Sequence, residues 1–505
     1  MTGVNALAYD CIVKGIYYSL NEVEKTAEVA KGDYTGNVDI PSEFRYNGIT
    51  YSVTAIGNSA FQDCNDLASI SIPSSIITIG DNAFLGCSKL VTVNLNSNSI
   101  VSQERDDESS IGTIFGNQVE TYNLGDSVTC IGVYAFRCCT ELKTITIPNS
   151  VTIIMERAFQ ACTGLKSVTI PNSVTSVNTA AFAGCTGLKS IVLSNAMKGI
   201  AQYAFRGCTN LTDITIPNNI IGIGNEAFVG CSGLADIVIP NSVTTIGDHA
   251  FSGCTGLTSI TIPESMNTIR EEAFSSCENL VTVNLNSNTF VSKNRKINTG
   301  LKKIFGEQVE TYNIGEGISS IGDYAFTSCT NIKRITFPNS LTTIGNFAFQ
   351  SCVGLTEVNI PDSLTNIGKY TFNGCSQLTS VTIGKGVTDI GERAFQNCIN
   401  LQHVYCYADN IPTTGANSFN KANTGTLHVP ISLLENYKLT EPWSSFNSII
   451  ALSEGVTLLE KINYTSSHGK STDVYDIKGR RLDAPIRDLI IIRSNDGKVK
   501  KIMVK

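Results

Sequence analysis

Cysteine is the residue type in this chain with the greatest capacity for chemistry, since the sequence holds 17 of them. Thirteen follow a repeated phenylalanine by three residues: Cys64, Cys87, Cys139, Cys162, Cys185, Cys208, Cys231, Cys254, Cys277, Cys329, Cys352, Cys375 and Cys398. No CxxC pair and no Cys/His spacing typical of zinc occurs. Stacked equivalents would have parallel Cβ vectors, which is poor disulfide geometry. We therefore predict a column of small buried apolar side chains, with any reactive thiol among Cys11, Cys130, Cys138 and Cys406.

The residue combinations that carry out catalysis are missing from the sequence. The histidines number only four, at His249, His403, His428 and His468. No HExxH, GxSxG or P-loop motif is present, and the scattered carboxylates supply no nucleophile with an activating base. We therefore predict no catalytic residue, no metal site and no cofactor.

The spacing of the phenylalanines shows which elements must position these residues. The segment Leu234–Gly256 reads LADIVIPNSVTTIGDHAFSGCTG, and copies of this 23-residue unit fill most of the chain. Self-similarity at a fixed period of this size is typical of a solenoid, in which each unit buries its apolar face against the next. The unit is numbered below from its first leucine, so that Leu234 is position 1 and Phe251 is position 18.

The polarity pattern within one unit predicts its local structure. Positions 3 to 6 alternate polar and apolar, as in a half-buried strand, and stacked copies would form one long parallel sheet. Position 7 is usually proline, which ends the strand. The segment around Ala-Phe-x-x-Cys is short, and we predict a single helical turn there. We expect about fifteen coils of this kind.

This unit resembles the leucine-rich repeat of the BspA-type family found on microbial surfaces. The family pattern LxxIxIPxSVTxIGxxAFxxC covers roughly residues 52–399. The resemblance implies a β-rich leucine-rich-repeat solenoid with a parallel sheet and a cap at each end. It also implies a secreted or surface-exposed protein that attaches to host proteins, such as extracellular matrix, or to other cells.

Residues outside the repeat define the remaining predicted domains. Residues 1–51 contain short alternating segments and a Tyr46-Asn47-Gly48-Ile49 turn signal, and we predict an N-terminal β cap. Residues 400–452 keep a decaying repeat, with Thr426–Pro430 as a last strand, and resemble the family's closing segment VP…Y…W..F..I. We expect the single tryptophan, Trp443, to pack in this C-terminal cap rather than to hold a ligand.

The C-terminal segments differ in composition from the rest. Residues 453–473 are rich in Ser, Gly and Thr, which is typical of a linker. Residues 474–505 contain an Asp496-Gly497 hairpin signal and resemble the sorting domain of type IX secretion substrates in Tyr475–Arg480, Gly497-Lys498 and Lys501–Lys505. Asp488 stands where that family usually has glycine. The alternative is a small β segment with no role outside itself.

The composition of the chain limits the partners and the cellular compartment that we expect for it. The formal net charge of −7 argues against a general nucleic-acid binder. No apolar run is long enough to span a membrane. The sequence MTGVNALAYDC lacks a basic stretch followed by an apolar core, so either the protein stays inside the cell or its signal peptide is not part of this sequence. If residues 474–505 are a sorting signal, we expect the full gene to encode an N-terminal signal peptide.

Two insertions of opposite charge interrupt the repeat near residues 99–113 and 289–303. Their surroundings match at an offset of 190 residues, as in the QVETYN copies at Gln118–Asn123 and Gln308–Asn313. The first holds Glu104, Asp106, Asp107 and Glu108 against Arg105, and the second holds Lys293, Arg295, Lys296, Lys302 and Lys303. Long loops on repeat proteins are often functional. We expect both to project beside the open face of the sheet, either as a pair of charged binding loops or as solvated loops that diverged.

The open face of the predicted sheet supplies the other candidate ligand-binding residues. Strand positions 3 and 5 are mostly Ser, Thr or Asn. The charged exceptions are Asp213 and Asp236, both at position 3. A row of lysines also occurs at position 2 of three successive strands, formed by Lys143, Lys166 and Lys189. Three hypotheses remain: a non-enzymatic adhesin-like binding protein that is monomeric, a passive structural or display spacer, and, least favoured, an enzyme. The first fits the sequence best.

Overall fold

The fold is a parallel β-solenoid of about 18 turns with a repeat of ~23 residues and little helix. The computed structural model describes residues 9–106 and 108–452 and, beyond them, the backbone of three strands. The chain forms two compact units, Met1–Leu452 and Ser453–Lys505. The number of turns exceeds the expected fifteen because segments of the predicted N-terminal and C-terminal caps, such as Gly36–Asp39 and Ser448–Ala451, also add coils to the stack.

One long row of parallel strands, called the main sheet here, runs along the first unit. Its strands pair in register in four consecutive runs, with breaks after Thr146, Ile214 and Thr336. Ile70, for example, pairs with Val93, so that equivalent positions of successive coils lie side by side. Its strands are Gly36–Asp39, Leu67–Ile72, Thr92–Leu95, Thr121–Leu124, Thr144–Thr146, Ser167–Thr169, Ser190–Val192, Asp213–Ile214, Ser259–Ile262, Thr282–Leu285, Thr311–Ile314, Arg334–Thr336, Glu357–Asn359, Ser380–Ile383, His403–Cys406, Thr426–Val429 and Ser448–Ala451. Ser448–Ala451 pairs with Thr426–Val429, so the prediction of a last strand at Thr426–Pro430 was wrong by one strand.

A second row of short parallel strands forms another side of each coil. It consists of Thr78–Ile79, Cys130–Ile131, Ile153–Ile154, Ser176–Val177, Gly199–Ile200, Gly222–Ile223, Thr245–Ile246, Thr268–Ile269, Ser320–Ile321, Thr343–Ile344, Asn366–Ile367, Asp389–Ile390 and Thr413–Thr414. The third side is the turn that carries the repeated phenylalanine, called the Phe turn here. The coil is therefore three-sided, with the apolar side chains of all three sides directed inward.

The Phe turn is not the helical turn that its sequence predicts. Residues at position 16 adopt positive φ, as His249 does at 53°, and so do residues at position 20, as Gly253 does at 72°. Two left-handed residues four positions apart interrupt any helix. The backbone instead bonds to the next coil, with Phe251 N–H donating to the Ala273 carbonyl at 2.7 Å.

Stacked aromatic rings fill the centre of the solenoid. Phe228 and Phe251 lie 5.1 Å apart between ring centroids, with their planes within 7° of parallel. The series of ring contacts continues from Phe61 to Phe419. Tyr122 and Tyr312 are inserted after the two insertion coils and meet Phe136 and Phe326 edge-on. We call this series the Phe ladder. Trp443 closes it against Phe419 at 5.0 Å, and its indole N–H donates to the Pro412 carbonyl.

The column of cysteines lies beside the ladder, and its thiols have a specific partner. All 17 cysteines are free, and the thirteen of the column are buried. Ten of them donate to the carbonyl of the repeat phenylalanine one coil earlier, as Cys162 Sγ does to Phe136 O at 3.0 Å and Cys398 Sγ to Phe372 O at 3.2 Å. In the insertion coils, which lack the phenylalanine-linked cysteine, Gln118 and Gln308 side chains bond the Phe115 and Phe305 carbonyls.

The N-terminal residues form a mixed sheet that joins the solenoid. Its strands are Cys11–Val13, Ile16–Asn21, Thr26–Val29, Glu43–Tyr46 and Ile49–Ile56. Tyr46 pairs with Ile49 across the Asn47-Gly48 turn, which confirms the predicted hairpin. Ile49–Ile56 pairs in parallel with Thr78–Ile79, so this sheet continues directly into the second row.

Helical segments are few and short in the described residues. They are Asn98–Val101, Ile111–Phe115, Asn288–Val291, Lys302–Phe305 and Leu434–Leu439, with 3-10 turns at Ile431–Leu433 and Trp443–Ser445. In the second unit, Asp473–Tyr475, Leu489–Arg493 and Val499–Met503 form an antiparallel sheet. The predicted turn at Asp496-Gly497 and the position of Asp488 lie outside the described residues.

Candidate functional site

The predicted row of lysines lies on successive coils at the start of the main-sheet strands. Lys166 N–H donates to the Lys143 carbonyl at 3.5 Å, and Lys189 N–H to the Lys166 carbonyl at 2.9 Å. All three side chains are exposed. Lys143 Nζ contacts Glu120 Oε1 at 2.5 Å, so an ion pair along the row already occupies it. Lys166 and Lys189 are the members that present their charge to solvent.

The two predicted aspartates continue along the same face. Asp213 pairs with Ser190 in the main sheet, and Asp236 lies one coil further; both are exposed. Elsewhere on this face, asparagine amides join neighbouring coils, as Asn123 Nδ2 does with Asn94 Oδ1 at 2.9 Å and Asn313 Nδ2 with Asn284 Oδ1 at 2.8 Å. These amides are occupied in holding coils together, so Asp213 and Asp236 stand out as free charges next to the lysines.

The insertions leave the solenoid at a different corner from the one the sequence predicts. Asn98–Val101 and Asn288–Val291 fold as helical turns in the place of second-row strands, with Gly132 N–H donating to the Val101 carbonyl. The loops that follow, called loop 1 (102–110) and loop 2 (292–301), bond to position 15 of the next coil. Arg295 N–H, for example, donates to Asp323 O at 2.9 Å. They therefore lie between the second row and the Phe turn, away from the main sheet.

Arg105 and Arg295 hold their own loops rather than extending into solvent. Arg105 is 7% exposed, and its guanidinium donates to the carbonyls of Ile100 at 2.7 Å and Gln103 at 3.0 Å. Arg295 makes the same bonds to Phe290 and Lys293, and lies over the Phe290 ring at 4.9 Å. Loss of hydration lowers the pKa of Arg295 to about 10. The two arginines are 190 residues apart, the same offset that relates the two insertions, and this match indicates a shared structural role.

Loop 2 encloses a groove whose charged lining residues are mostly cationic. The groove has a volume of about 560 Å³. Five cationic side chains and two carboxylates line it: Arg270, Lys293, Arg295, Lys296 and Lys303 against Asp248 and Glu271. Lys303 is paired with Glu272, and Lys293 Nζ bonds the Asn267 carbonyl at 2.7 Å. The side-chain ammonium of Lys296 has no hydrogen-bond or ion-pair partner among the described residues.

Loop 1 carries the opposite charge at the equivalent position. Glu104, Asp106 and Glu108 are exposed, and Asp107 lies outside the described residues. Hydrogen bonds from Ser109 and from the Glu108 N–H lower the pKa of Asp106, which keeps this carboxyl ionised. The structure therefore places the acidic and basic predicted residues on one corner of the solenoid, and the lysine row on another side.

A row of aromatic residues at position 16 was not predicted from the sequence. Tyr324, Phe347 and Tyr370 stack face to face with centroids 4.7 Å apart, and Arg393 lies over the Tyr370 ring. The sequence does contain a pattern that indicates this row, since each residue directly precedes the Ala-Phe or Thr-Phe pair of its coil. The ring faces contact one another, so the row contributes packing between coils and offers only ring edges to a ligand.

Two further observations concern metal ions and membranes. Among residues 9–106 and 108–452, no group of three or more His, Cys, Asp or Glu side chains is placed to hold a metal ion. No helix in the described part of the chain has the length and apolar character needed to cross a membrane.

The fold and its repeat define a class, the leucine-rich-repeat solenoid. The chain belongs to the family described as the BspA type leucine rich repeat region, whose model matches residues 42–106, 113–235, 198–308 and 302–425. Members of this family are secreted or lie at the cell surface. Solenoids of this kind are generally non-enzymatic and mediate protein interactions.

Solved structures similar to this chain include leucine-rich-repeat proteins of bacteria. A protein from Bacteroides ovatus is 27% identical, with 80% of this chain and 99% of that chain covered and a TM-score of 0.46. A leucine rich cell surface protein from Faecalibacterium prausnitzii is 22% identical, with coverage of 87% and 94% and a TM-score of 0.29. The pneumococcal vaccine antigen PcpA is 19% identical, with coverage of 88% and 99% and a TM-score of 0.28. No curated protein matches the chain.

Proposed function

We propose that this protein is a non-enzymatic, adhesin-like binding protein of the cell surface, and that loop 2 supplies the main contact with an acidic segment of a protein partner. The observation that carries the proposal is the groove beside loop 2, where five cationic side chains face two carboxylates. A groove of 560 Å³ admits an extended peptide segment rather than a whole domain. Lys296 provides an unpaired charge at its edge.

The charged residues of the main sheet and those of loop 1 have different roles in this proposal. The residues Lys166, Lys189, Asp213 and Asp236 on the main sheet form a second, weaker contact surface, because they present both signs of charge. Loop 1, with Glu104 and Asp106, would repel an acidic partner and so confine it to loop 2. Such like-charge repulsion contributes to specificity more than to affinity.

The test is a titration of the full chain with a synthetic decaglutamate peptide at low salt. We expect K296E to weaken binding by up to about fivefold, because one exposed contact contributes at most about 1 kcal/mol, and higher salt should weaken the parent as well. K198E, the same change at an exposed lysine distant from the groove, is the matched control and should bind as the parent does.

Equal affinity of K296E and the parent, with equal salt dependence, would exclude the groove as the binding site. If neither the peptide nor immobilised extracellular-matrix proteins bind the parent chain at any salt concentration, the passive spacer becomes the better interpretation.

Export to the surface is proposed to depend on the C-terminal segment, residues 474–505. Support comes from the resemblance of its sequence to type IX sorting domains and from its antiparallel strands, which belong to a unit distinct from the solenoid. Deletion of 474–505 should leave the melting temperature of the solenoid unchanged and retain the protein in the periplasm of its host. Surface display of the deleted chain, measured by accessibility to added protease, would contradict this proposal.

A further inference from the structure

We propose that His403 and His428 form a binding site for one divalent transition-metal ion, such as Zn²⁺, on the outer face of the main sheet. His403 Nδ1 lies 3.2 Å from His428 Nε2, and the ring centroids are 5.4 Å apart. Two zinc–nitrogen bonds of about 2.0–2.1 Å at a tetrahedral angle separate the two nitrogens by about 3.3 Å. The pair therefore already has nearly the spacing of a two-nitrogen chelate. This inference does not depend on the groove at loop 2.

The strands fix the two histidines in this relation. His403 pairs with Thr426, and Tyr405 pairs with His428, in two parallel neighbouring strands. Val404 and Leu427 between them are buried, so both histidines lie on the outer face. The backbone positions are set by hydrogen bonds of the sheet, and bringing both nitrogens onto an ion requires only rotation of the imidazole rings. Ligands held on strands in this way need little ordering on binding.

A neighbouring ring stabilises the orientation of His428. Tyr405 stacks on it with centroids 4.3 Å apart and planes 21° from parallel. His403 also lies within 5.9 Å of the Tyr405 ring. Three aromatic side chains thus pack together on a face that is otherwise mostly Ser, Thr and Asn.

The donor set decides the class of ion. Neutral imidazole nitrogen binds Zn²⁺, Ni²⁺ and Cu²⁺, whereas Ca²⁺ and Mg²⁺ require several oxygen ligands. Two protein ligands leave the remaining coordination positions to water, since His403 is exposed and His428 half-buried. Without metal, the same two nitrogens share one hydrogen bond, and the ion would replace its proton.

The experiment is a calorimetric titration of the full chain with Zn²⁺ at pH 7.5. It is carried out in a C138S background, because Cys138 is an exposed thiol that could bind zinc independently. We expect one saturable site, weakened about tenfold or more by either H403A or H428A. Binding should also weaken as the pH is lowered, because protonated imidazole cannot act as a ligand.

The other two histidines of the chain give the controls. H249A removes a half-buried histidine 3.6 Å from Glu272, and H468A removes the one in the second unit; both should bind zinc as the parent does. H403N and H428N, with unchanged melting temperatures, show that loss of binding is not loss of folding. Absence of saturable binding in the parent, or binding that survives H403A and H428A together, would overturn the proposal and leave a hydrogen-bonded pair only.

Discussion

At the scale of single residues, the Phe ladder contains two buried tyrosines that the fold does not fully satisfy. Tyr122 and Tyr312 occupy main-sheet positions that are isoleucine or valine in most coils, and their rings join the ladder. Both hydroxyls are buried and have no hydrogen-bond partner among the described residues. Burial raises the pKa of both phenols well above the usual range, so the groups stay neutral. A buried hydroxyl without a partner loses its hydration and gains nothing in return.

Y122F and Y312F should therefore stabilise the protein, each by about 1 kcal/mol, because the ring remains and the unpaired hydroxyl is removed. Y437F is the matched control, since the Tyr437 hydroxyl lies 3.2 Å from Cys406 Sγ and its loss should destabilise by a similar amount. Thermal unfolding measured by circular dichroism distinguishes the signs. A lower melting temperature for Y122F would show that this hydroxyl bonds to water in the core.

At the scale of elements, the cysteine column links stability to alkaline pH. Burial raises the pKa of Cys231 to about 12, from an ordinary value of 9.0. Cys277 and Cys398 are raised to about 12 for the same reason. Because the folded pKa is raised, the folded state keeps its protons while the unfolded chain loses them. The stabilisation is complete below about pH 9 and is lost as pH rises from there toward 12.

We expect the melting temperature to fall steeply between pH 9 and pH 11, with each buried thiol contributing about 1.4 kcal/mol per pH unit to the loss of stability. C231A should make this fall less steep, even though the variant is less stable at neutral pH. C138S, at an exposed position, is the control and should leave the slope unchanged. An equal slope in C231A and the parent would show that the thiols do not cause the alkaline transition.

The elements that the sequence predicts well are those with a repeated apolar pattern. The spacing of residues such as Phe228 and Phe251 determines the period, and the period determines the solenoid, its parallel sheet and the inward direction of the cysteines. Left-handed residues such as His249 and Tyr324 were not predicted, because side chains of any type occur there. Their conformation follows from hydrogen bonds between coils, which one repeat alone does not reveal.

The candidate site was predicted less well, since the sequence does not show where a loop leaves the coil. Counting from Asn98 and Asn288 suggested an exit beside the main sheet. Ser97 and Ser287 cap the helical turns that follow and also bond the carbonyls of Ile76 and Met266 in the preceding coil. These turns replace the second-row strands, so the loops leave the coil between the second row and the Phe turn instead of beside the main sheet. Arg295 was expected to bind a partner, whereas its guanidinium bonds carbonyls of its own loop.

At the scale of the whole molecule, each coil contacts mainly its neighbours, and the Phe ladder is a series of apolar contacts that runs through nearly all of them. Phe228 is fully buried near the middle of the solenoid, with centroids 5.4 Å from Phe205 and 5.1 Å from Phe251. The stability of such a stack is a sum of coil terms and of terms between adjacent coils. Weakening one central coil therefore weakens the coupling between the two halves.

F228A should cost about 3–5 kcal/mol locally, because it removes a buried ring and leaves a cavity. Its larger effect is on cooperativity: we expect the single calorimetric transition of the parent to separate into two, one for each half. Limited proteolysis should then cut within the coils around residue 228 while both halves stay folded. V229A, at the half-buried neighbouring position, is the matched control and should keep one transition. A single transition at lower temperature for F228A would show that coupling between coils is carried mainly by the backbone hydrogen bonds, and that the ladder adds stability without setting the size of the cooperative unit.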